Sequence, residues 1–157
     1  MRAVLASIVC AAMLAVGGAS ATFAQPARVP LKTLQATGPK VPSAPAVLAL
    51  VRSTMIAVDQ GNKTGNYTVL RDLGAPAFRD ANTAAKLALV FANLQGADLL
   101  PVLVVEPTYR EAPRLTARRM LYVAGRFDIR PRAVSFELLY DVWQGEWRLY
   151  GVSIVPG

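Results

Sequence analysis

Residues 132–155 constrain the fold more than any other stretch of the chain. Val134, Phe136, Leu138, Tyr140 and Val142 alternate with Ala133, Ser135, Glu137, Leu139 and Asp141, the two-residue period of a strand with one face packed and the other partly wet. Gln144-Gly145-Glu146 supplies a glycine for a tight connection, and Trp147 to Val155 returns as a second strand rich in aromatic and branched residues. A hairpin is marginal alone in water, so the upstream chain has to cover its apolar face. Carried along both strands, the alternation puts Leu139, Trp143, Tyr150, Val152 and Ile154 on the face away from the core. Such a face is too apolar to leave in water and predicts a homodimer formed through the sheet. Gly125 and Gly151 interrupt strand patterns and mark bulges or bends.

The covering elements lie upstream. Ser43-Ala44-Pro45 opens a helix with a hydroxyl cap and an early proline, and Val47, Leu50, Val51, Thr54, Met55 and Val58 recur at helical spacing until Gly61 ends it after about four turns. A short helix follows over Tyr67–Leu73. Residues 74–79 break it and return Phe78 to the core. Asn82-Thr83 caps a further helix, Ala84–Leu94, with Leu87, Val90, Phe91 and Leu94 as its stripe and Gly96 beyond its end. Pro101–Pro107, an apolar run between prolines, reads as a strand near a sheet edge. Thr108–Pro113 reads as a loop, and Leu115–Ile129 contains a longer strand. Helices followed by antiparallel strands give an α+β fold, with N-terminal helices packed on a curved antiparallel sheet of about four strands.

At the other end, Met1-Arg2 precedes an unbroken apolar run, Ala3–Val16, and a string of small residues reaching Ala24. That is the pattern of a cleavable signal peptide over residues 1–24, with the cut after Ala24 or after Ala21, the first favoured. The run is shorter than the roughly 20 residues that span a bilayer, so no transmembrane segment is expected after cleavage. The expected location is periplasmic or secreted. Cys10 sits inside the apolar run behind Val9, not where a lipid-attachment cysteine belongs. Its removal leaves a mature chain without cysteine, hence without a disulfide. Residues 25–42 hold Pro26, Pro30, Pro39 and Pro42 and read as a flexible leader before one domain over 43–157. Losing Arg2 takes the net charge from +7 to +6. In an exported chain that basic balance argues against nucleic acid as the partner.

The segments "VDQGN", "LGAPAFRD", "AAKLALVFANL" and "FELLYDVWQGEWRLYGVSIVP", with Gly145-Glu146-Trp147-Arg148-Leu149 as the most specific piece, resemble a small exported member of the nuclear transport factor 2-like superfamily. The resemblance covers Pro45–Val155 and implies a cystatin-like α+β cone. It does not choose a function, because the superfamily includes isomerases, dehydratases, cyclases, ligand carriers and assembly modules.

The residues narrow the choice. The chain has no histidine, which removes the side chain most often used for proton transfer near neutral pH and the commonest transition-metal ligand. Without mature cysteine, and with its carboxylates spread singly, the sequence offers no metal site, and no cofactor motif is present. The expectation is therefore a non-catalytic binding module for a small apolar or anionic molecule. Phe78, Phe91, Tyr122, Phe136, Tyr140 and Trp147 would line its cavity, unless they simply fill the core. Arg118, Arg119 and Arg126, within a run of seven arginines from Arg110 to Arg132, are candidates for an anionic group, unless they are solvated edge charges. Two alternatives stay open: an assembly module acting through a dimeric sheet face, and an isomerase- or dehydratase-like enzyme using a carboxylate and tyrosine pair.

Overall fold

The computed structural model describes residues 38–157. The expected signal peptide and most of the leader lie outside these residues. Four helices come first: α1 (Ala44–Thr64), α2 (Thr68–Asp72), α3 (Pro76–Ala81) and α4 (Ala84–Val90). Two 3-10 turns, Ala92–Leu94 and Leu100–Leu103, lead to β1 (Thr108–Tyr109), β2 (Arg114–Leu115), β3 (Leu121–Phe127), β4 (Val134–Trp143) and β5 (Glu146–Pro156). The strands form one antiparallel, unclosed sheet ordered β1-β3-β4-β5, with β2 also pairing β3. The fold is α+β, with the helical layer on one sheet face, consistent with a cone-like arrangement.

The predicted stripe of α1 faces the core: Val47, Val51, Thr54, Met55 and Val58 are buried. The helix nevertheless runs past Gly61 to Gly65, whose φ of 72° makes the left-handed stop. Gly61 answers to packing. A Cβ there would sit 2.7 Å from two ring carbons of Tyr67, and that ring is buried and stacked 6.0 Å from Phe91. Ser43 occupies the cap position without a capping bond from its side chain, whereas Thr83 accepts from the Lys86 amide at 3.1 Å as expected. The 74–79 segment is more than a break, since Pro76 opens α3 and Phe78 is buried on it. Val90 is exposed rather than part of a core stripe.

Pro101–Pro107 is not a strand: it begins in the 3-10 turn Leu100–Leu103 and continues as irregular chain. Pro101 sits in the first turn, and the carbonyls of the segment are claimed by a side chain: Arg52 of α1 donates to Val102 O at 2.8 Å and Val105 O at 3.2 Å, and pairs with Glu106 at 2.9 Å. The longer strand expected within 115–129 is β3, Leu121–Phe127; before it the chain reverses at Arg119, φ 62°, and sets the short β2 against β3.

The β4–β5 hairpin turns at Gln144 and Gly145, both with positive φ, 52° and 82°, the backbone of a two-residue type I′ connection that matches strand twist. A register shift at Leu139/Tyr140 pairs Tyr140 with Leu149 but Leu139 with Gly151, leaving Tyr150 as the extra residue. This bulge beside Gly151 agrees with the sequence. Its consequence overturns part of the predicted face: one extra residue flips every side chain beyond it. Val152 and Ile154 therefore lie opposite Leu138 and Phe136 on the core side, and Ile154 is only 4% exposed. Gly125 carries no register shift. A Cβ there would come within 2.7 Å of Thr108 O and 2.9 Å of the Phe136 ring, so its place is fixed by close approach of β1.

Candidate functional site

Of the six aromatic candidates, Phe78, Phe91, Phe136 and Tyr140 are core residues. Tyr122 stands on the opposite sheet face, beside Leu139, with the Arg114 guanidinium 4.9 Å over its ring, so it lines no interior cavity. Trp147 is half-buried at the hairpin end. Of the six, Tyr140 and Trp147 line a small crevice with Leu50, Ser53, Thr54, Leu73 and Leu149, which measures about 40 Å³, room for a water and little more.

The polar groups of the interior are already committed. Tyr140 Oη donates to Leu50 O at 3.0 Å, Thr54 Oγ1 donates to the same carbonyl at 3.0 Å, and the two hydroxyls lie 2.9 Å apart. Burial pushes the Tyr140 hydroxyl well above its ordinary pKa, so it stays a donor. Asp59, the fully buried acid, accepts from the Leu99 amide at 3.0 Å and pairs with Lys63 at 2.9 Å. Lys63 also reaches Asp98 at 2.9 Å. The hydrogen bonds to Asp59 and then Asp98 raise the Lys63 pKa, and the bond from Lys63 lowers that of Asp98. Asp59 thus locks α1 to the segment before the second 3-10 turn. Among the described residues no cluster of three His, Cys, Asp or Glu side chains stands ready for a metal ion.

Open volume lies outside the cone. A groove of about 600 Å³ runs along α1, walled by Ile56, Ala57, Val69, Leu73 and Leu103, with Arg52, Gln60, Thr64 and Asn66 as polar lining. Past Ser53 it continues into a depression of about 440 Å³ lined by Ala46, Ala49, Leu50 and Trp147. Two groove residues are unusually bare for their type, Val69 at 61% and Leu103 at 53% exposure, and Val104, next to Leu103 in the chain, is 83% exposed. The groove was not among the sequence candidates. Ile56 falls beside the buried stripe of α1 and Leu103 in a run read as a strand, and no local period joins them.

The candidate arginines do not form one site. Arg118 and Arg119 are exposed at the β2–β3 turn, the latter with its guanidinium against the backbone of Gly38. Arg126, near the other end of β3, pairs with Asp128 at 2.7 Å. Seven strand residues at about 3.3 Å each put roughly 20 Å between these groups. On the outer sheet face, Leu139 and Trp143 remain as predicted, with Tyr150 in the bulge. They are interspersed with Ser135, Glu137, Asp141, Arg148 and Ser153, and Arg110 bridges to Glu137 at 2.6 Å. This face is more polar than the alternation implied.

No protein-family model matches the chain, and no curated protein or solved structure matches it. Among the described residues no helix is long and apolar enough to cross a membrane.

Proposed function

We propose that this chain is a non-catalytic binding module that holds an elongated, mainly apolar small molecule in the groove along α1. One observation carries the reading: four of the six aromatic candidates are buried in the core and the crevice beside Tyr140 and Trp147 holds about 40 Å³, while the apolar groove along α1 offers about 600 Å³. Sites for small organic ligands fall at about 300–1,000 Å³, with apolar walls and a few polar groups. The commitment of Asp59 and Tyr140 to structural bonds supports the non-catalytic part. Membership of the nuclear transport factor 2-like superfamily, and export with a cut after Ala24, belong to the same proposal. N-terminal sequencing of the mature chain tests the export.

The test of binding uses the neutral fluorophore N-phenyl-1-naphthylamine, displaced by dodecanol. Wild-type protein enhances its fluorescence saturably, and Ile56→Gln with Leu103→Gln weakens binding by about tenfold, as loss of two apolar contacts implies. Equal affinity in wild type and variant rejects the groove.

The bare side chains at and beside the groove favour a second reading, in which another copy of the chain covers this face. Val69 and Leu103 then bury against the partner's groove in a two-fold contact. Light scattering tests it: a dimer that becomes a monomer in Leu103→Asp supports this reading, and a wild-type monomer rejects it.

A further inference from the structure

A second site stands away from the groove, where the Gly96 turn meets the β3–β4 connection. It is a pocket of about 190 Å³, the space of about six waters. Ile129 and Val134, both buried, form its apolar floor with Pro156, and Arg130 and Arg132 stand on one side of it.

These two arginines differ from most others in the chain. Arg52, Arg71, Arg110, Arg114, Arg126 and Arg148 each have a carboxylate within 4.0 Å. Among the described residues, Arg130 and Arg132 have none. Asp128, the nearest acid in sequence, is held by Arg126, and Asp98, which lines the pocket, shares the single ammonium of Lys63 with the buried Asp59. Two arginines against one aspartate leave the lining with a net positive charge beside an apolar floor. Among the described residues Arg79, Arg118 and Arg119 also have no carboxylate within 4.0 Å, and none of the three lines this pocket.

We infer that this pocket binds a small carboxylate, its charged group held by Arg130 and Arg132 and its short apolar body resting on Ile129 and Val134. Guanidinium forks match the planar carboxylate with paired, charge-assisted hydrogen bonds. The volume limits the body to about one aromatic ring or a short chain. This site does not depend on the α1 groove, and its failure leaves the groove reading untouched.

Isothermal titration calorimetry on the mature chain tests it with benzoate, which has both parts, and inorganic phosphate, which has only the anion. Benzoate binds at one site, phosphate at least about tenfold more weakly, and Arg130→Gln with Arg132→Gln lowers benzoate affinity by about tenfold or more. Arg118→Gln with Arg119→Gln leaves it unchanged. Absent binding, equal loss in both arginine pairs, or phosphate binding as tightly as benzoate overturns the assignment.

Discussion

Replacing Gly61 by alanine sets two effects of opposite sign against each other. In a helix interior, alanine is favoured over glycine by about 1 kcal/mol, so propensity alone predicts a more stable protein. The structure predicts the reverse. The new methyl would lie 2.7 Å from both Cδ1 and Cε1 of Tyr67 and 3.1 Å from Cγ, so one edge of the ring has to move. The ring has nowhere to go, being 1% exposed, stacked on Phe91 and hydrogen-bonded to Asn62. Overpacking of this kind costs about 1–3 kcal/mol, and two ring atoms under 3 Å place Gly61→Ala at the upper end. The net expectation is a loss of about 1–2 kcal/mol in urea unfolding. With Tyr67→Ala the obstacle is gone and the same substitution stabilises by about 1 kcal/mol, giving a coupling of about 2–3 kcal/mol in the double-mutant cycle. A Gly61→Ala protein more stable than wild type, or no coupling to Tyr67, refutes the packing account of that glycine.

Other substitutions test the remaining interior. Ile154→Glu buries a charge and unfolds the protein or lowers its urea midpoint sharply, whereas Val155→Glu, on the outer face, changes the midpoint little; equal effects contradict the bulge. Asp59→Ala leaves the Leu99 amide without its acceptor and costs about 1–3 kcal/mol; unchanged stability in urea unfolding refutes the role given to Asp59. Because the folded Tyr140 hydroxyl titrates above its ordinary 10.0, its contribution is complete below pH 10 and fades as the unfolded chain ionises above it. Stability therefore falls as the pH rises above 10, less steeply in Tyr140→Phe, and an identical decline in both proteins counts against the buried hydroxyl.

Local periodicity made the helical stripe and the hairpin legible. Val47 to Val58 repeats at the spacing of a helix face, and Val134 to Val142 at that of a strand, and each buries the side its pattern selects. Features that depend on one residue or on distant partners were not legible in this way. The extra residue at Tyr150 moved Val152 and Ile154 to the other face, although Gly151 had marked the place. Gly61 looked like a terminator because Tyr67, the ring it accommodates, belongs to the next element. The 101–107 run has the composition of a strand, but Arg52, some fifty residues earlier, takes its carbonyls. The arginines, which belong to one run in the sequence, are parted by the length of β3. The groove is built from α1, α2 and a 3-10 turn, so only the assembled fold brings Ile56, Val69 and Leu103 together.

If the groove along α1 is the apolar site, a ligand touches α1, α2 and the second 3-10 turn and leaves the core of the domain undisturbed. An NMR titration of the labelled chain with dodecanol tests this most directly, read on backbone amides and on the methyl groups of valine, leucine and isoleucine. Shifts confined to Ile56, Val69, Leu73, Leu103 and their neighbours, with Leu138 and Leu149 inside the sheet unmoved, are the expected result. Shifts centred on Leu138, Leu149 and Tyr140, or none at all, would contradict it.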